Sequence, residues 1–372
     1  MVTEGEGGRV IAGRYRLGER LGSGGMGVVW RATDELLGRR VAVKALPLDE
    51  PLLPRVELRA AAEARQRRER TLREARAVAR LSHPHIIVVH DVVEDDGRPY
   101  IVMELIDGGS LADRIAAHGP VDAAEAARIG LALLGALRTA HAAGVLHRDV
   151  KPSNVLVAED GRAVLTDFGV AQVEGASTLT ETGSFVGSPE YTAPERMSGT
   201  GTGPESDLWS LGALLCAALS GESPFRRDSL GGIVRAVVDE AVRPPAQAGP
   251  LLPVVRGLLE RDPRRRLDAA GAERMLRAFL ATGRTPAPTP SPAAGDQPRH
   301  GRRGRLVAVL LAAATAGAGI GTAVLLADGP DGDGGGGGAP TSSAPGTPPS
   351  QRSPSPSPSS AFSSPSSPTP SP

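Results

Sequence analysis

The stretch His147-Arg148-Asp149-Val150-Lys151-Pro152-Ser153-Asn154 lies near the middle of a chain of 372 residues, between a predicted helix and a short apolar run. An Asp, a Lys two residues later and an Asn three residues after that put a proton acceptor, a phosphate-pairing cation and a metal ligand on one loop. Phosphoryl transfer to a hydroxyl needs this set of groups. Ordinary connecting loops are polar too, so the stretch alone leaves two interpretations open, a connection and a catalytic loop.

Composition excludes several classes of protein. The 42 basic and 42 acidic residues give a formal net charge of zero, so no global basic surface argues for nucleic-acid binding. The single cysteine, Cys216, excludes an intramolecular disulfide and fits a reducing compartment. It stands in the apolar run 211–219, which predicts a buried, unreactive thiol. The seven histidines lack the spacing of a zinc site.

Lysine is almost absent from the sequence. Of the 42 basic residues only Lys44 and Lys151 are lysines. A codon bias toward GC produces such a replacement by arginine without functional meaning, and the two lysines then survive by chance. The alternative is that both sites need a compact ammonium, because arginine presents a planar fork of different geometry.

A glycine loop is predicted between two strands near the N-terminus. Gly22, Gly24 and Gly27 form G-x-G-x-x-G, and Lys44 follows on a Val-Ala-Val-Lys strand. A dinucleotide-binding version of this motif opens a helix. Here β-branched residues follow the loop instead, which favours a glycine flap over phosphates with a lysine beneath it.

The remaining elements alternate between short strands and long helices. Residues 55–80 form a predicted helix on which Glu74 either faces inward to pair with Lys44 or is a solvated carboxylate among arginines. A hairpin is predicted from strands 86–93 and 100–105. The predicted helices that follow lie near 110–117, at about 123–143, and through most of the chain to about 282.

A third motif follows a predicted strand over 163–166. Asp167 in Asp167-Phe168-Gly169 supplies a carboxylate that can hold Mg²⁺. The segment from there to Ala193-Pro194-Glu195 is rich in Ser and Thr. Flexible loops share that composition, so density alone does not identify phosphorylation sites.

Taken in order, these motifs resemble the eukaryotic-like Ser/Thr protein kinases of bacteria, with actinobacterial character, over about 14–282. The resemblance implies an α+β, two-lobed protein-kinase fold with an N-lobe at about 14–103, a hinge at about 104–107 and a C-lobe at about 108–282. It implies a non-specific serine/threonine protein kinase that uses ATP and Mg²⁺, or Mn²⁺, acts on protein substrates and phosphorylates its own activation loop. Both lysines fall on motif positions, which makes chance survival a poor explanation.

Two rival functions accompany this interpretation. A catalytically silent pseudokinase would lack one of Lys44, Asp149, Asn154 or Asp167, and all four are present. A small-molecule phosphotransferase of the same fold is disfavoured by the Ala193-Pro194-Glu195 segment.

The resemblance also assigns roles residue by residue. The implied catalytic residues are Asp149, Lys151, Lys44 and Glu74, and the implied Mg²⁺ ligands are Asn154 and Asp167. Arg148 is implied to bind an activation-loop phosphate, on Thr180 or Thr182. His147 and Asp207 are implied to support the loop, and Glu195 to pair with Arg266. The residues implied to bind ATP, with Met103 as gatekeeper, are Leu21, Gly22, Ser23, Gly24, Gly25, Met26, Gly27, Val29, Ala42, Lys44, Met103, Glu104, Ile106, Asn154 and Asp167.

One feature departs from the family pattern. The interval between Lys44 and Glu74 is longer than the family usually has, and it carries extra Arg- and Glu-rich sequence. This extension is either a solvated length of helix or a docking surface.

The ends of the chain predict its location. Residues 1–13 form a flexible N-terminus without the pattern of a signal peptide. After a Pro- and Arg-rich linker at 283–305, residues 306–327 run for 22 residues without a charge. As a helix they span about 33 Å, enough to cross a bilayer, although a buried soluble helix is the alternative. The arginines before the span and the acidic residues after it predict a chain anchored in the cell membrane by this span, with the kinase domain on the cytoplasmic side.

The span and the tail carry two further predictions. Gly317 and Gly321 form a G-x-x-x-G that lets two helices pack closely as a homodimer, although this spacing arises easily in a segment so rich in Gly and Ala. Residues 328–372 are Gly, Pro, Ser and Thr-rich and predict a disordered extracytoplasmic tail. The tail is too short for PASTA repeats.

Overall fold

The computed structural model describes residues 8–24, 27–46, 57–168 and 188–287. All of them belong to the first of two units into which the chain divides, Met1–Ala293. Several predicted features lie outside these residues: Gly25, Met26, Thr180, Thr182, the predicted membrane span and the tail.

The N-terminal part of the described chain is a six-stranded antiparallel sheet with the strand order β1-β2-β3-β4-β6-β5. Its strands are β1 Val10–Ile11, β2 Tyr15–Gly24, β3 Gly27–Asp34, β4 Arg39–Ala45, β5 Val89–Asp95 and β6 Arg98–Glu104. Alternation along β4 sorts its side chains between two faces. Val41 and Val43 pack into one cluster with Trp30, whereas Ala42 packs on the other side with Met103. Lys44 shares the face of Ala42, which is the face that looks toward the helical lobe.

The helix α1, Glu57–Val78, links β4 to the rest of the sheet and confirms the helix predicted over 55–80. Its buried residue Ala75 packs with Leu46 of the β4 end and Ile101 of β6. This contact holds an arginine-rich helix against the sheet. Glu74, one residue before Ala75, therefore lies close to the junction between the lobes.

The predicted strand over 86–93 is wrong in its first residues. β5 begins only at Val89, and the preceding segment is bonded to the other lobe. Ile86 forms a bridge with Leu165, and the amide of Ile87 donates to the carbonyl of Leu165 at 3.0 Å. The apolar run at 86–93 is longer than one strand, and the fold divides it between the two lobes. Hydrophobicity alone does not reveal where this division falls.

Helices dominate the C-terminal part, as predicted, around a two-stranded hairpin. The helices are α2 Leu111–His118, α3 Ala123–Ala142, α4 Pro194–Met197, α5 Pro204–Ser220, α6 Leu230–Val238, α7 Leu252–Leu258 and α8 Ala269–Thr282, and the hairpin strands are β7 Val155–Val157 and β8 Ala163–Leu165. Helix α5 is buried along almost its whole length. Cys216 on α5 is fully buried, and burial raises the pKa of its thiol to about 12, which keeps it protonated. This agrees with the prediction of an unreactive thiol.

Residues 107–109 connect the lobes. Gly108 has φ +135°, and a Cβ at this position would stand 2.1 Å from the carbonyl oxygen of Val157. Only glycine allows such an approach. Ser110 then caps α2 in a reciprocal arrangement in which the Asp113 carboxylate accepts from the Ser110 backbone amide at 3.0 Å.

This arrangement gives the two-lobed α+β architecture, with a sheet-rich N-lobe and a helical C-lobe. Within the described residues, no helix is both long and apolar enough for a membrane span.

Candidate active site

The octapeptide loop lies between α3 and β7 and brings three of its polar side chains together. The Asp149 carboxylate oxygen Oδ2 lies 2.7 Å from Lys151 Nζ and accepts from Asn154 Nδ2 at 3.0 Å. Asn154 Nδ2 also donates to the backbone oxygen of Asp149 at 2.8 Å. Lys151 Nζ donates in turn to Ser188 Oγ at 2.8 Å. One oxygen of Asp149 is therefore fixed by two donors, which orients the carboxylate.

Asp207, in the first turn of α5, anchors the start of this loop as predicted. Its Oδ2 accepts from the His147 amide at 2.9 Å and from His141 Nε2 at 2.7 Å, while its Oδ1 accepts from the Arg148 amide at 2.8 Å. Burial opposes ionisation, but these hydrogen bonds and the neighbouring histidines together lower the pKa of Asp207 below its usual value. A buried carboxylate with its acceptor sites filled holds the loop rigidly.

Backbone strain marks both sides of the site. Arg148 has φ +67° and Asp167 has φ +61°, values that non-glycine residues adopt rarely and at a cost of about 1–3 kcal/mol each. Arg148 is held on both sides, by Asp207 at its amide and by an Arg196 guanidinium at its carbonyl. Strain at positions held by buried hydrogen bonds is typical of functional sites.

His147 connects the loop to the segment that carries Asp167. Its Nε2 donates to the carbonyl of Thr166 at 2.8 Å, and its Nδ1 accepts from the Asp149 amide at 3.2 Å. The ring also packs against Phe168, with centroids 4.6 Å apart. Burial lowers the pKa of His147, which agrees with a neutral ring that donates at one nitrogen and accepts at the other. Both nitrogens are occupied, so His147 supports the site and does not contact substrate.

Lys44 and Asp167 meet across the cleft between the lobes. Lys44 Nζ lies 2.8 Å from Asp167 Oδ1, and the lysine is only 7% exposed. The pairs Val29–Lys44 and Lys44–Ile101 fix the register of Lys44 at the centre of the sheet. Two motifs more than a hundred residues apart thus place an ammonium and a carboxylate at one point.

The predicted pair between Lys44 and Glu74 is not formed in this structure. Glu74 Oε1 lies 3.4 Å from Arg70 Nε, one turn earlier on α1, and 3.6 Å from a guanidinium nitrogen of Arg148. Lys44 is engaged by Asp167 instead. In this conformation two guanidinium groups lie beside the Glu74 carboxylate. Arg70 is on the same helix, and Arg148 is on the octapeptide loop.

The apolar lining of the cleft agrees with an adenine site. Ala42 and Met103 are buried in one cluster with Val29 and Ile106 packed at its edge. No other described residue hydrogen-bonds the backbone of Ile106, so its amide and carbonyl remain for a ligand. Leu21, on the strand before the glycine loop, is 43% exposed. The described part of the glycine loop pairs Gly22 with Val29, Ser23 with Val28 and Gly24 with Gly27.

Leu156 is a further residue on the floor of the cleft, outside the sequence motifs. Val155 and Val157 are buried in the C-lobe core, whereas Leu156 between them packs against the Ala42 and Met103 cluster. The period-two pattern of strands carries this information. Alternation along 155–157 would have assigned Leu156 to the face opposite the core.

The residues of the cleft fit a magnesium ion held jointly with a phosphate ligand. Among the described residues, no group of three or more His, Cys, Asp and Glu could hold a metal. Asp167 and Asn154 offer one carboxylate and one amide oxygen, since the amide nitrogen of Asn154 is turned toward Asp149. Mg²⁺ commonly binds one or two carboxylates and completes its shell with waters and substrate phosphates. Such a pair therefore suits Mg²⁺ better than a metal that needs a full protein cage.

The predicted pair of Glu195 and Arg266 is confirmed beneath the site. Two guanidinium nitrogens of Arg266 meet the two carboxylate oxygens at 2.7 and 3.0 Å. The guanidinium also lies 5.2 Å from the ring centroid of Trp209. Burial opposes ionisation of Glu195, but Arg266 lowers the pKa of the carboxyl. The pair joins α4 to the segment before α8.

Comparison with known proteins finds a protein kinase domain and relatives that are serine/threonine-protein kinases. The sequence model described as the protein kinase domain matches residues 15–277. The serine/threonine-protein kinase PknK of Mycobacterium tuberculosis is 47% identical over 213 residues, which are 57% of this chain and 18% of that protein. The serine/threonine-protein kinase PknA of the same species is 38% identical over 293 residues, 76% of this chain and 65% of PknA. A probable serine/threonine-protein kinase of Corynebacterium efficiens is 38% identical over 244 residues, 64% of this chain and 35% of that protein. The chain thus spans less than two thirds of the length of each of these relatives.

Proposed function

Because this chain belongs to the protein kinase family, we propose that it transfers the γ-phosphate of ATP to Ser and Thr hydroxyls of proteins. The observation that supports this most strongly is the contact chain Asp149–Lys151–Ser188 beside the Lys44–Asp167 pair. The first set of groups faces the acceptor and the second faces the phosphates. Kinases of this family use ATP and Mg²⁺.

The residues of the catalytic loop act on the acceptor hydroxyl. Asn154 and Lys151 hold Oδ2 of Asp149, so Oδ1 orients the hydroxyl and accepts its proton as the oxygen attacks phosphorus. The Lys151 ammonium contacts Oδ2 of Asp149 and balances the negative charge of the phosphoryl group during its transfer. Its bond to Ser188 fixes the ammonium at the point where the protein substrate enters. This contact supports Ser/Thr specificity.

The groups on the other side of the cleft hold ATP. Lys44 pairs with the α- and β-phosphates, and the apolar walls around Ala42 and Met103 hold the adenine. Asp167 and Asn154 would hold Mg²⁺, which neutralises phosphate charge when it is bound. The Lys44 ammonium stands beside Asp167, so the same pair orders both the phosphates and the metal ligand.

Activation of this kinase rests on an exchange of partners at Glu74. Arg148 holds Glu74 at 3.6 Å in the structure. A phosphate on Thr180 or Thr182 carries nearly two negative charges and competes for Arg148. Glu74 is then released toward Lys44, the partner that the family pattern implies.

Autophosphorylation at these positions gives the first testable prediction. A Thr180→Ala/Thr182→Ala double variant should lose most of its activity, because no phosphate draws Arg148 away from Glu74. Activity is measured as phosphate transferred to a protein substrate after preincubation with ATP. A Ser177→Ala/Thr178→Ala double variant is the matched control in the same segment. Unchanged activity of the Thr180 and Thr182 variant would contradict the proposal.

The proposed reaction is tested with the purified full chain and γ-labelled ATP. Phosphoamino-acid analysis of the labelled protein should find label on Ser and Thr. Small molecules in the reaction should carry no label. Lys44→Ala and Asp167→Asn should abolish labelling, since each removes a group that faces the phosphates. Equal labelling by these variants would refute the assignments, and label on a small-molecule acceptor alone would identify a different phosphotransferase.

A further inference from the structure

A groove beside the catalytic loop has a volume of about 560 Å³ and opens at Lys151 and Ser188. One wall is the apolar face of α2, with Ile115 at its centre, and the other is the turn Pro189–Tyr191 together with the end of α5. Among its described lining residues the charged groups are Lys151 and Glu190. Lys151 is already engaged by Asp149 and Ser188. Glu190 is thus the charged group of the groove that remains to meet a ligand.

The carboxylate of Glu190 has no partner within the described part of the chain. Only the backbone of this residue is bonded, by Ser223 Oγ to its carbonyl oxygen at 3.2 Å. Burial raises the pKa of Glu190, with Glu222 adding to the shift and Arg226 opposing it through a longer-range attraction. The carboxylate is half-buried and its oxygens still reach water, so a cation that enters the groove can replace that water as its partner.

The position of Glu190 limits which part of a substrate it meets. Ser188 marks the acceptor end of the groove through its bond to Lys151. Glu190 is two residues further along the chain, so its Cα lies within roughly 8 Å of that of Ser188. An extended peptide advances about 3.3 Å per residue. The side chain that faces Glu190 therefore belongs to a residue close to the phosphorylated one.

We propose that Glu190 selects protein substrates with an Arg or Lys within about three residues of the phosphorylated Ser or Thr. The cation pairs with the Glu190 carboxylate, while the neighbouring side chains of the substrate lie against the apolar wall of α2. This inference rests on the proposed kinase activity and names the class of protein substrate that it takes.

The test uses the full-length kinase and peptides with one Thr in an Ala and Gly background. Each position from three before to three after the Thr carries either Arg or norleucine, which matches the aliphatic stem without the charge. A charge-assisted hydrogen bond predicts that Arg at one position raises kcat/KM about tenfold over norleucine. Glu190→Gln should bring that ratio close to one. Glu159→Gln, a matched change on the exposed turn between β7 and β8, should leave the ratio as in the wild type.

Charge reversal separates selection from a structural role. Glu190→Arg should prefer a peptide with Glu at the same position over one with Arg, which a merely destabilised groove would not do. An Arg preference that survives in Glu190→Gln overturns the inference. Phosphorylation of the peptides by the wild type without any preference for Arg overturns it too, while the proposed kinase activity stands. Failure of the wild type to phosphorylate any peptide or protein overturns both.

Discussion

At the scale of single residues, Asp207 determines the conformation of the catalytic loop. It fills its acceptor sites with the amides of His147 and Arg148 and with a ring nitrogen of His141. The strained φ of Arg148 persists because its amide is tied to this buried carboxylate. The chemistry of Asp149 therefore depends on a residue about sixty positions away.

Asp207→Asn gives the second prediction. The amide keeps one acceptor oxygen but places an NH₂ group against donors, so at least one buried donor loses its partner. The free energy of unfolding should fall by about 1–3 kcal/mol, and kcat should fall more than KM changes. Asp228→Asn, an exposed carboxylate, is the control for denaturant unfolding and kinetics. Wild-type stability and kcat in Asp207→Asn would show that the anchor has no such role.

His147 predicts a pH dependence of stability. Its folded pKa is lowered by burial, so the contribution of the neutral ring is present above the unfolded pKa of about 6.5 and is lost as the pH falls below it. Wild-type unfolding free energy should decrease from pH 7 to pH 5. His147→Gln should show a smaller slope, by at most about 1.4 kcal/mol per pH unit, because one titrating group is removed. Identical slopes would contradict a neutral buried His147.

At the scale of elements, the ion pair of Glu195 and Arg266 joins two segments of the C-lobe. Arg266 is buried, whereas the pair of Glu273 and Arg277 on α8 is largely exposed at its arginine. Removing one partner of a buried pair leaves an uncompensated charge, which an exposed pair avoids.

This contrast gives the fourth prediction. Arg266→Met should destabilise the protein by about 3–5 kcal/mol, and Arg277→Met by less than about 1 kcal/mol. The Glu195→Gln/Arg266→Met double variant should be more stable than the sum of its single changes implies. Unfolding in urea measures the wild type, the double variant and the single variants Arg266→Met, Arg277→Met and Glu195→Gln. Equal losses at the two arginines would contradict the account of this pair.

The elements also show what local sequence can and cannot predict. Alternation along β4 places Lys44 in the cleft, and the octapeptide motif places Asp149, Lys151 and Asn154 on one loop. The partner of Glu74 could not be predicted, because Lys44, Arg70 and Arg148 compete for it and the outcome depends on the conformation of α1. Glu190 was missed for a similar reason, since only the fold reveals that no described side chain pairs with its carboxylate.

At the scale of the whole molecule, we propose that the kinase is anchored in the cell membrane. The support is the uncharged span at 306–327, flanked by arginines before it and acidic residues after it, which lies outside the described residues. The full chain should sediment with membranes and resist washing with carbonate. A chain that lacks 306–327 should be soluble, and full-length protein released by carbonate would contradict the anchor.

Dimerisation through the span is a separate proposal. Gly317 and Gly321 let two helices approach closely in a bilayer. Replacing both by Ile should abolish cross-linking of the full chain in membranes, whereas Ala312→Ile/Ala323→Ile, on the opposite side of the helix, is the control. Dimers that persist in the glycine variant would argue against this contact.

The central claim is that the loop at 147–154 carries out phosphoryl transfer, with Asp149 acting on the acceptor hydroxyl. The most direct measurement is a single-turnover assay of Asp149→Asn beside equilibrium binding of ATP. The rate of phosphate transfer should be at least about 100-fold below that of the wild type, with ATP affinity within a few-fold of the wild-type value. A variant that transfers phosphate at the wild-type rate would contradict the assignment.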